Sequence, residues 1–499
     1  MTRRRTSERT RPRRLKGFRD ITAADVLARD RMVARIREVY EAYGFVPLET
    51  PALEYVDALG KFLPEADRPD AGIFAFRDED DAWIALRYDL TAPLSRYVAM
   101  HPDLPRPFRR YQIGPVYRME KPGPGRFREF YQFDFDSVGT SSMLADAEAC
   151  MVMCDALEAV GIPRGAYIIG INDRKVLDGV LERVAGLGDL PDGAAMNVLR
   201  SIDKLDRVGP DGVRQLLQRG RRDESGAFIE GVGLDHKQVD VVMEYLTLAA
   251  DARAGVCDAL ERIVGDSKIG REGVDELREI DHALKHAAYD TDRVVIDPTV
   301  VRGLAYYTGP VFEGVLTFDA VDDAGVARHF GSVFGGGRYD NLVERFTGQK
   351  TPATGASIGI DRLLSAMTAL GQLPRDIATA KVLVTRLDKH RTAEYQRIAA
   401  ELRSAGIHTE LYVGHQGIGK QFKYASDSGK TVAIVMGENE AADGTVSIKD
   451  LKLGDELSKE VGADRKTWLE QQPAQFEAPR TDVVQAVRGV LARYAATDA

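Results

Sequence analysis

The chain has 499 residues, of which 44% are hydrophobic and 29% are charged. This length and balance describe a globular chain with room for several domains, and they exclude a chain that is mostly disordered or fibrous. The 68 basic and 77 acidic side chains give a net charge of -9. That balance argues against a protein whose whole surface binds nucleic acid.

Positive charge is concentrated at residues 1–14, where seven arginines accompany one acidic residue, so this stretch is +6 and the rest of the chain is -15. We predict that residues 1–14 form a disordered basic arm, since they contain almost no apolar residue. No apolar core of a secretory signal and no run of about 18 apolar residues is present in the sequence. Three cysteines are too few for a disulfide framework. We therefore expect a cytoplasmic protein without a membrane span.

The first predicted elements are a helix and a long β-hairpin. Apolar residues recur at helical spacing from residue 21 to 43, and Gly44 follows where a helix stop is expected. Pro47 and Pro51 then favour an extended segment. Two strand-like runs within residues 108–139 flank the sequence KPGPG, which predicts an antiparallel hairpin with a flexible tip.

Side chains alternate between the two faces of a strand, and this alternation separates polar from apolar residues in the hairpin. Gln132, Asp134 and Asp136 share one face, whereas Phe133 and Phe135 share the other. A polar face of this kind is a poor core and suits the floor of a site for a charged substrate. The same alternation groups Arg87, Asp89 and Thr91 in the run LRYDLT. The predicted polar face carries Asp89, Thr91, Arg118, Glu120, Gln132 and Asp136.

The middle of the chain, from about residue 173 to 290, has the pattern of a charged helical insertion. Strand character returns over residues 293–318. The glycine cluster GGGRYD that begins at Gly335, taken alone, is typical of an ordinary loop. Residues 353–367 have the pattern of a glycine-rich strand that runs into a helix, with Asp361 and Arg362 in its first turn.

A boundary near residues 371–380 precedes a second domain, predicted over residues 379–499. Strand-like and helix-like segments alternate there, which indicates a mixed or parallel sheet covered by helices. The apolar stripe of its first helix ends at Gly406 and consists of Tyr395, Ile398, Ala399 and Leu402.

Several nucleotide and hydrolase signatures are missing, among them the GxxxxGK[ST] phosphate loop and the GxSxG elbow. Arginines can hold phosphates without such a loop, because a guanidinium binds phosphate in a bidentate manner. The pairs His282/His286 and Cys150/Cys154 have helical spacing, but their neighbours favour surface histidines and core cysteines over metal ligands. The candidate phosphate-binding arginines are Arg118, Arg126, Arg302 and Arg362.

These segments, in this order, are similar to the motifs of one family of class II aminoacyl-tRNA synthetases. The matching segments are LKGFRD (15–20), which resembles the opening of the family; LRYDLTAPLSRY (86–97), which resembles its histidine-binding strand; VYRMEKPGPGRFREFYQFDFD (116–136), which resembles class II motif 2 with its ATP loop; VRGLAYYTGPVFE (301–313) and FGGGRYDNL (334–342), which resemble the two histidine-specific signatures; and ATGASIGIDRL (353–363), which resembles class II motif 3. By this resemblance, the chain is identified as a member of the histidyl-tRNA synthetase family over nearly its full length.

The resemblance implies an α+β catalytic domain of class II type over residues 15–378, built on an antiparallel sheet flanked by helices. It also implies a helical insertion and a C-terminal α/β anticodon-binding domain. The implied reaction activates L-histidine with ATP and Mg²⁺ to histidyl-adenylate and then transfers histidine to the 3' end of tRNA(His). A homodimer is implied by resemblance as well.

The family motifs also imply roles for individual residues. Asp89, Thr91 and Gln132 would hold the ammonium group of histidine, and Leu90 would also contact histidine. Asp136, Tyr306 and Tyr307 would read the imidazole, through a carboxylate and a hydroxyl. Arg118, Glu120, Arg126 and Arg362 would bind ATP, and Arg118 and Arg302 would stabilise charge at the α-phosphate. No metal ligand is assigned. The signature usually has an acidic residue where this chain has Ala305.

Two other functions fit the same family motifs. A catalytically inactive paralogue serves as the regulatory subunit of ATP phosphoribosyltransferase in histidine biosynthesis, and it would bind histidine without activating it. That paralogue usually lacks the C-terminal α/β domain and tends to lose arginines that this chain keeps. A sensor of uncharged tRNA would need a fused effector module, and no such sequence is present.

Overall fold

The computed structural model of the protein describes residues 10–59, 72–122, 126–188, 193–223, 226–248, 252–301, 303, 306–321, 327–371, 378–460 and 474–494. The chain divides into two compact units, Met1–Ile21 with Arg29–Leu373 and Thr22–Ala28 with Pro374–Ala499. Most of the predicted basic arm lies outside the described residues. Within the described ranges, no helix has the length and apolar character needed to cross a membrane.

The larger unit is built on an eight-stranded sheet with the order β1-β5-β6-β15-β14-β11-β7-β10. Its central strands are antiparallel, while β1 pairs with β5 and β10 pairs with β7 in parallel. In the described part of this unit, the other strands form a three-stranded sheet of β2, β4 and β3 and two small hairpins. The strands are β1 (Val46–Pro47), β2 (Leu53–Tyr55), β3 (Ala75–Arg77), β4 (Trp83–Leu86), β5 (Phe108–Tyr117), β6 (Glu129–Val138), β7 (Tyr167–Asp173), β8 (Gly220–Arg222), β9 (Phe228–Glu230), β10 (Val294–Ile296), β11 (Pro310–Leu316), β12 (Asp319–Val321), β13 (Ala327–His329), β14 (Ser332–Arg338) and β15 (Ala353–Gly359).

Helices flank this sheet. The six helices α5 to α10 lie between β7 and β10 in the chain and form the predicted helical insertion. Buried apolar residues recur along α10 at helical spacing, at Val274, Leu277 and Leu284. The helices are α1 (Ala23–Ala42), α2 (Val56–Leu59), α3 (Thr91–Met100), α4 (Leu144–Ala159), α5 (Arg174–Gly186), α6 (Ala194–Ile202), α7 (Leu205–Leu217), α8 (His236–Leu246), α9 (Arg253–Val264), α10 (Lys268–His286), α11 (Glu344–Thr347) and α12 (Ile360–Ala369).

The predicted hairpin is confirmed by the pairing of β5 with β6, whose register runs from Phe108 opposite Val138 to Tyr117 opposite Glu129. Its apolar face packs on α1. The rings of Phe133 and Phe135 lie 4.7 and 5.0 Å from the ring of Tyr40, measured between centroids. All three side chains are buried, so the apolar half of the alternating pattern forms the core and the polar half faces away from it.

The glycine cluster at Gly335 is not a loop, which corrects the interpretation of GGGRYD taken alone. Residues Gly335, Gly336 and Gly337 lie in β14, between β11 and β15. A Cβ atom at Gly336 would overlap the backbone of Gly355 and Ala356 in the neighbouring strand. The glycines are therefore needed for close strand packing, a requirement that composition alone does not distinguish from a turn.

The smaller unit has a five-stranded mixed sheet with the order β17-β16-β18-β19-β20. The strand β16 pairs in parallel with β17 and β18, while β19 pairs antiparallel with β18 and β20. The predicted apolar stripe of its first helix is confirmed, since Tyr395, Ile398, Ala399 and Leu402 are all buried. Its elements are β16 (Val382–Val384), α13 (Thr392–Ser404), β17 (Thr409–Leu411), α14 (Ile418–Asp427), β18 (Val432–Val435), α15 (Glu438–Asp443), β19 (Thr445–Asp450), α16 (Leu451–Glu460), β20 (Gln475–Pro479), α17 (Val483–Ala492) and the 3-10 helices Lys389–Arg391 and Arg480–Asp482.

This architecture confirms the predicted fold class. An antiparallel-centred sheet flanked by helices carries a helical insertion, and an α/β unit follows it.

Candidate active site

A cavity of about 760 Å³ opens on the polar face of the large sheet, above β6, β14 and β15. Leu90 does not line it, because its side chain is fully buried elsewhere. Arg302 and Ala305 lie outside the described residues. The cavity brings together these residues that sequence analysis singled out: Asp89, Thr91, Arg118, Glu120, Arg126, Gln132, Asp136, Tyr306, Tyr307 and Arg362.

One end of the cavity is acidic, and β6 supplies most of that end. Gln132, Asp134 and Asp136 all line the cavity, as the alternation along the strand predicts. Asp134 lies on this face as predicted, although the family motifs imply no role for it. Burial raises the pKa of Asp134 to about 8, while Arg110 acts in the opposite direction.

The amide of Gln132 is oriented by a neighbouring strand. Its Nε2 donates to Oγ of Ser357 in β15 and lies 3.5 Å from Oδ1 of Asp134. Within the described ranges, its buried Oε1 atom accepts no hydrogen bond from the protein. A buried acceptor without a donor is costly, so this oxygen is suited to a donor on a ligand in the cavity.

Asp89 reaches the cavity from the start of α3 and not from a strand. Its Oδ1 accepts the backbone N–H groups of Thr91 at 3.2 Å and Ala92 at 2.9 Å. Burial raises the pKa of Asp89, whereas the hydrogen bond from Ala92 and the nearby Arg118 guanidinium oppose that rise. The carboxylate therefore occupies a helix N-terminus, which favours negative charge.

The strand parity predicted for Arg87, Asp89 and Thr91 is wrong, and so is the expectation of a histidine-binding strand over residues 86–97. The strand β4 ends at Leu86, and α3 begins at Thr91. Arg87 points away from the cavity, where its Nη1 donates to Thr50 O at 2.7 Å and its Nε to Pro115 O at 2.9 Å. Side chains alternate between two faces only within a strand. The alternation in β4 therefore cannot be extended through the turn to Asp89 and Thr91.

The two partners of Asp136 are not among the residues predicted from the sequence. Arg110 Nη2 lies 2.7 Å from Oδ2 of Asp136, and the Tyr339 hydroxyl donates to Oδ1. Arg110 is opposite Asp136 in the hairpin register, so counting back from the tip would have found this pair. Tyr339 follows the glycine strand and also lines the cavity, at 5.8 Å from the ring of Tyr306.

The other end of the cavity carries arginines. Arg118 donates from Nε to Tyr88 O at 3.2 Å, and its guanidinium lies 5.1 Å from the ring of Phe130. Arg362 donates from Nη1 to Ser332 O at 2.6 Å. Nη1 of Arg126 lies 3.9 Å from Oε2 of Glu120, and both side chains are largely exposed. Guanidinium groups converging beside an acidic end can hold the phosphates of a nucleotide next to an ammonium group.

The other candidate metal residues do not assemble into a site. His282 and His286 are exposed on α10 with their rings 4.2 Å apart, and Cys150 and Cys154 are buried and free. In the part of the chain that the structure describes, no group of three or more His, Cys, Asp or Glu residues could hold a metal ion. The histidines therefore lie on the surface and the cysteines in the core, as their sequence neighbours predict.

An antiparallel sheet flanked by helices, with a cavity on its polar face that is lined by both carboxylates and arginines, is the arrangement of a class II aminoacyl-tRNA synthetase. A family model described as histidyl-tRNA synthetase matches residues 17–363, and one described as anticodon binding domain matches residues 381–464. The chain belongs to the histidyl-tRNA synthetase family.

Relatives and solved structures agree with this assignment. The chain is 52% identical to the histidine–tRNA ligase of Cereibacter sphaeroides over 498 residues, which cover 98% of this chain and 100% of that protein. It is also 52% identical to the histidine–tRNA ligase of Roseobacter denitrificans, with 96% of each chain covered. The crystal structure of histidyl-tRNA synthetase from Nostoc sp. PCC 7120 superposes with a TM-score of 0.73 at 29% identity and covers 96% of this chain and 99% of that chain.

Proposed function

We propose that this chain is a histidine–tRNA ligase, which activates L-histidine with ATP and transfers it to the 3' end of tRNA(His). The observation that carries the proposal is a cavity lined both by the acceptors Asp89, Gln132 and Asp136 and by the arginines Arg118 and Arg362. An amino acid has a cationic end and a carboxylate, and ATP has a polyphosphate. The cavity offers opposite charge to each of these groups.

The histidine end is proposed to work through acceptors of fixed orientation. Asp89, Thr91 and the Oε1 atom of Gln132 bind the ammonium group, which needs a carboxylate and neutral acceptors. Leu90 acts through its backbone, since its carbonyl oxygen accepts from Arg110 Nη2 at 3.0 Å. A site that hydrogen-bonds its substrate in this way rejects apolar analogues strongly, because its polar groups would remain unpaired.

The imidazole is proposed to lie between Asp136 and the tyrosines Tyr306 and Tyr307. One ring nitrogen donates to the carboxylate and the other meets a hydroxyl group. Arg110 and Tyr339 hold that carboxylate in place, and their contacts support its role.

Activation is proposed to occur where the two ends of the cavity meet. A carboxylate oxygen of histidine attacks the α-phosphorus of ATP, and the bond to the bridging oxygen of the β-phosphate breaks, which releases pyrophosphate. Arg118 and Arg302 stabilise the charge on the α-phosphate, and Arg362 and Arg126 bind the outer phosphates. Glu120 contacts the adenine end.

In the second step, a ribose hydroxyl of the terminal adenosine of the tRNA attacks the carbonyl carbon of histidyl-adenylate. The C–O bond to the phosphate breaks, AMP leaves, and the hydroxyl proton is lost. Both steps pass through charged transition states, so positioning and charge stabilisation supply most of the catalysis.

Mg²⁺ is proposed to enter as the complex of ATP and not as a resident ion. The described part of the cavity offers arginines to the phosphates and no cluster of three metal-ligating side chains. The ion would neutralise charge on the pyrophosphate group, where most of the negative charge of ATP resides.

The domain scheme proposed for this function has a basic arm over residues 1–14, a catalytic domain over residues 15–378 and an anticodon-binding domain over residues 379–499. The arm contacts phosphate backbone, and the last domain binds the tRNA anticodon. The proposed assembly is a cytoplasmic homodimer.

Histidine-dependent exchange of pyrophosphate into ATP tests this function. The purified protein should exchange label only when L-histidine is present, and Arg302→Ala should abolish exchange while histidine binding, measured by calorimetry, is largely retained. A folded protein that binds histidine without exchange would contradict the ligase function. That result would favour the inactive regulatory paralogue.

A further inference from the structure

Residues 15–19 form a turn, here termed the strap, that lies against the base of the hairpin tip. The N–H of Phe18 donates to Leu15 O at 3.2 Å, and Gly17 has φ +85°. A Cβ atom at Gly17 would lie 2.8 Å from Cγ of Arg128 and 2.9 Å from Cγ of Pro122. Only glycine combines this backbone conformation with so close an approach to the hairpin.

Backbone hydrogen bonds attach the strap to the part of the hairpin that reaches the cavity. The N–H of Arg128 donates to Gly17 O at 2.9 Å, and the N–H of Arg118 donates to Arg128 O at 2.9 Å. The side chain of Arg128 also donates from Nε to Glu120 O at 3.0 Å. Arg128 therefore links the strap on one side to the cavity-lining residues Arg118 and Glu120 on the other.

The side chain of Arg19 then connects the hairpin to α12. Its Nη2 donates to Oδ1 of Asp361, in the first turn of α12, and its guanidinium carbon lies 4.1 Å from the ring centroid of Phe127. The second oxygen of Asp361 accepts the backbone N–H of Tyr131 in β6 at 2.6 Å. The side chains of Arg19 and Asp361 are only 28% and 11% exposed, so solvent screens their ion pair weakly.

We propose that Arg19 is a positioning residue for ATP, an inference that rests on the proposed function of the cavity. Phe127 and Arg126 on one side, and Arg362 beside Asp361 on the other, line the end assigned to ATP. Arg19 joins these two sides before ATP binds. The nucleotide therefore does not have to bring the segment with Arg126 and Phe127 together with α12. The residues proposed to bind histidine lie on β6 and beside α3. Because β6 remains paired with β5 and β15 when Arg19 is replaced, we expect histidine affinity to change little.

Steady-state pyrophosphate exchange and calorimetric titration with ATP test the inference on the full chain. Arg19→Ala should raise the KM and the Kd for ATP about tenfold or more, because it removes a charge-assisted hydrogen bond and the packing on the Phe127 ring. The KM for histidine should change by less than about twofold. Arg19→Lys keeps the cation but not the planar group, so it should recover part of the ATP affinity.

The matched control is Arg214→Ala, which removes an exposed ion pair with Asp240, 2.8 Å apart, in the helical insertion. This variant should leave all constants unchanged. Combining Arg19→Ala with Phe127→Leu should raise the Kd for ATP by less than the product of the single effects, since the two side chains pack on each other. If the increase in the Kd for ATP equals the product of the two single effects, Arg19 and Phe127 do not act together and the proposed link is wrong.

The readouts separate this inference from the proposed function. Absence of exchange in the unaltered protein contradicts the ligase function, whereas the ATP titrations still compare Arg19→Ala with the unaltered chain. An ATP Kd within about twofold in a folded Arg19→Ala variant overturns the inference. If Arg19→Ala does not fold, Arg19→Lys decides the matter: equal losses of ATP and histidine affinity would indicate a merely structural role.

Discussion

Arg110 and Asp136 form a buried ion pair at the acidic end of the cavity, with 2.7 Å between Nη2 and Oδ2 and side-chain exposures of 0% and 3%. Burial raises the pKa of Asp136, while Arg110 and the Tyr339 hydroxyl act in the opposite direction. The carboxylate proposed to read the imidazole is therefore oriented by the protein itself. Its geometry and charge depend on a residue from the neighbouring strand.

Replacing Arg110 by methionine should be strongly destabilising. Removal of one partner leaves Asp136 buried without its cation, beside Asp134 and Asp89, and breaking such a pair costs about 3–5 kcal/mol. The free energy of unfolding, measured by urea denaturation, should fall by that order, and calorimetry should detect weaker histidine binding.

The double variant Arg110→Met/Asp136→Asn distinguishes stability from recognition. With both charges removed, most of the stability should return, because no uncompensated buried charge remains. Histidine binding should stay weak, since the proposed acceptor for the imidazole is a neutral amide in this variant. Recovery of histidine affinity together with stability would contradict the role assigned to Asp136.

Asp134 should make the stability of the protein depend on pH. Its pKa is raised by burial to about 8, whereas a carboxyl in an unfolded chain ionises near about pH 4. Between these values the folded state holds a proton that the unfolded state has lost, so rising pH favours unfolding by up to about 1.4 kcal/mol per pH unit.

The neutral variant Asp134→Asn lacks this contribution and provides the measurement. Its free energy of unfolding relative to the unaltered protein should increase steadily from about pH 5 to about pH 8 and level off below about pH 4. Urea denaturation across this range gives the difference directly. A difference that is independent of pH would show that Asp134 is ionised throughout, with Arg110 dominating over burial.

How far the sequence predicts the site depends on the kind of pattern involved. The alternation in β6 correctly predicts that Gln132 and Asp136 face a cavity, because strand periodicity is local. It fails at Arg87, where the strand ends before the polar residues do. Pairings between distant segments, such as Arg19 with Asp361, leave no local signal in a single sequence. The fold class is predictable from motif order, whereas these pairings require the structure.

Gly355 should not tolerate a side chain. A Cβ atom there would overlap the backbone oxygen of Phe135 and the carboxylate of Asp136 in the paired strand. We expect Gly355→Ala to lower the free energy of unfolding by about 1–3 kcal/mol, the usual cost of overpacking, and to weaken histidine binding. Denaturation and histidine titration measure the two effects.

Gly359→Ala is the matched control for stability, since it lies in the same strand and a Cβ atom there would meet Val333 O at an ordinary van der Waals distance of 3.8 Å. Its unfolding midpoint should stay close to that of the unaltered protein. Equal destabilisation by both variants would show that the cost comes from strand glycines in general and not from overlap with Asp136.

Lys420 and Lys423 should contribute to tRNA binding without affecting amino-acid activation. Both are exposed and three residues apart on α14, so they share one face of that helix. In Lys420→Ala/Lys423→Ala, the slope of log K against log salt for tRNA binding should become shallower by about one unit for each phosphate that the protein no longer neutralises. The KM values for ATP and histidine in pyrophosphate exchange should not change.

Lys389→Ala, which removes another exposed lysine of the same unit, should leave the salt slope unaltered. An unchanged slope in the double variant would mean that this face of α14 does not bind the tRNA backbone.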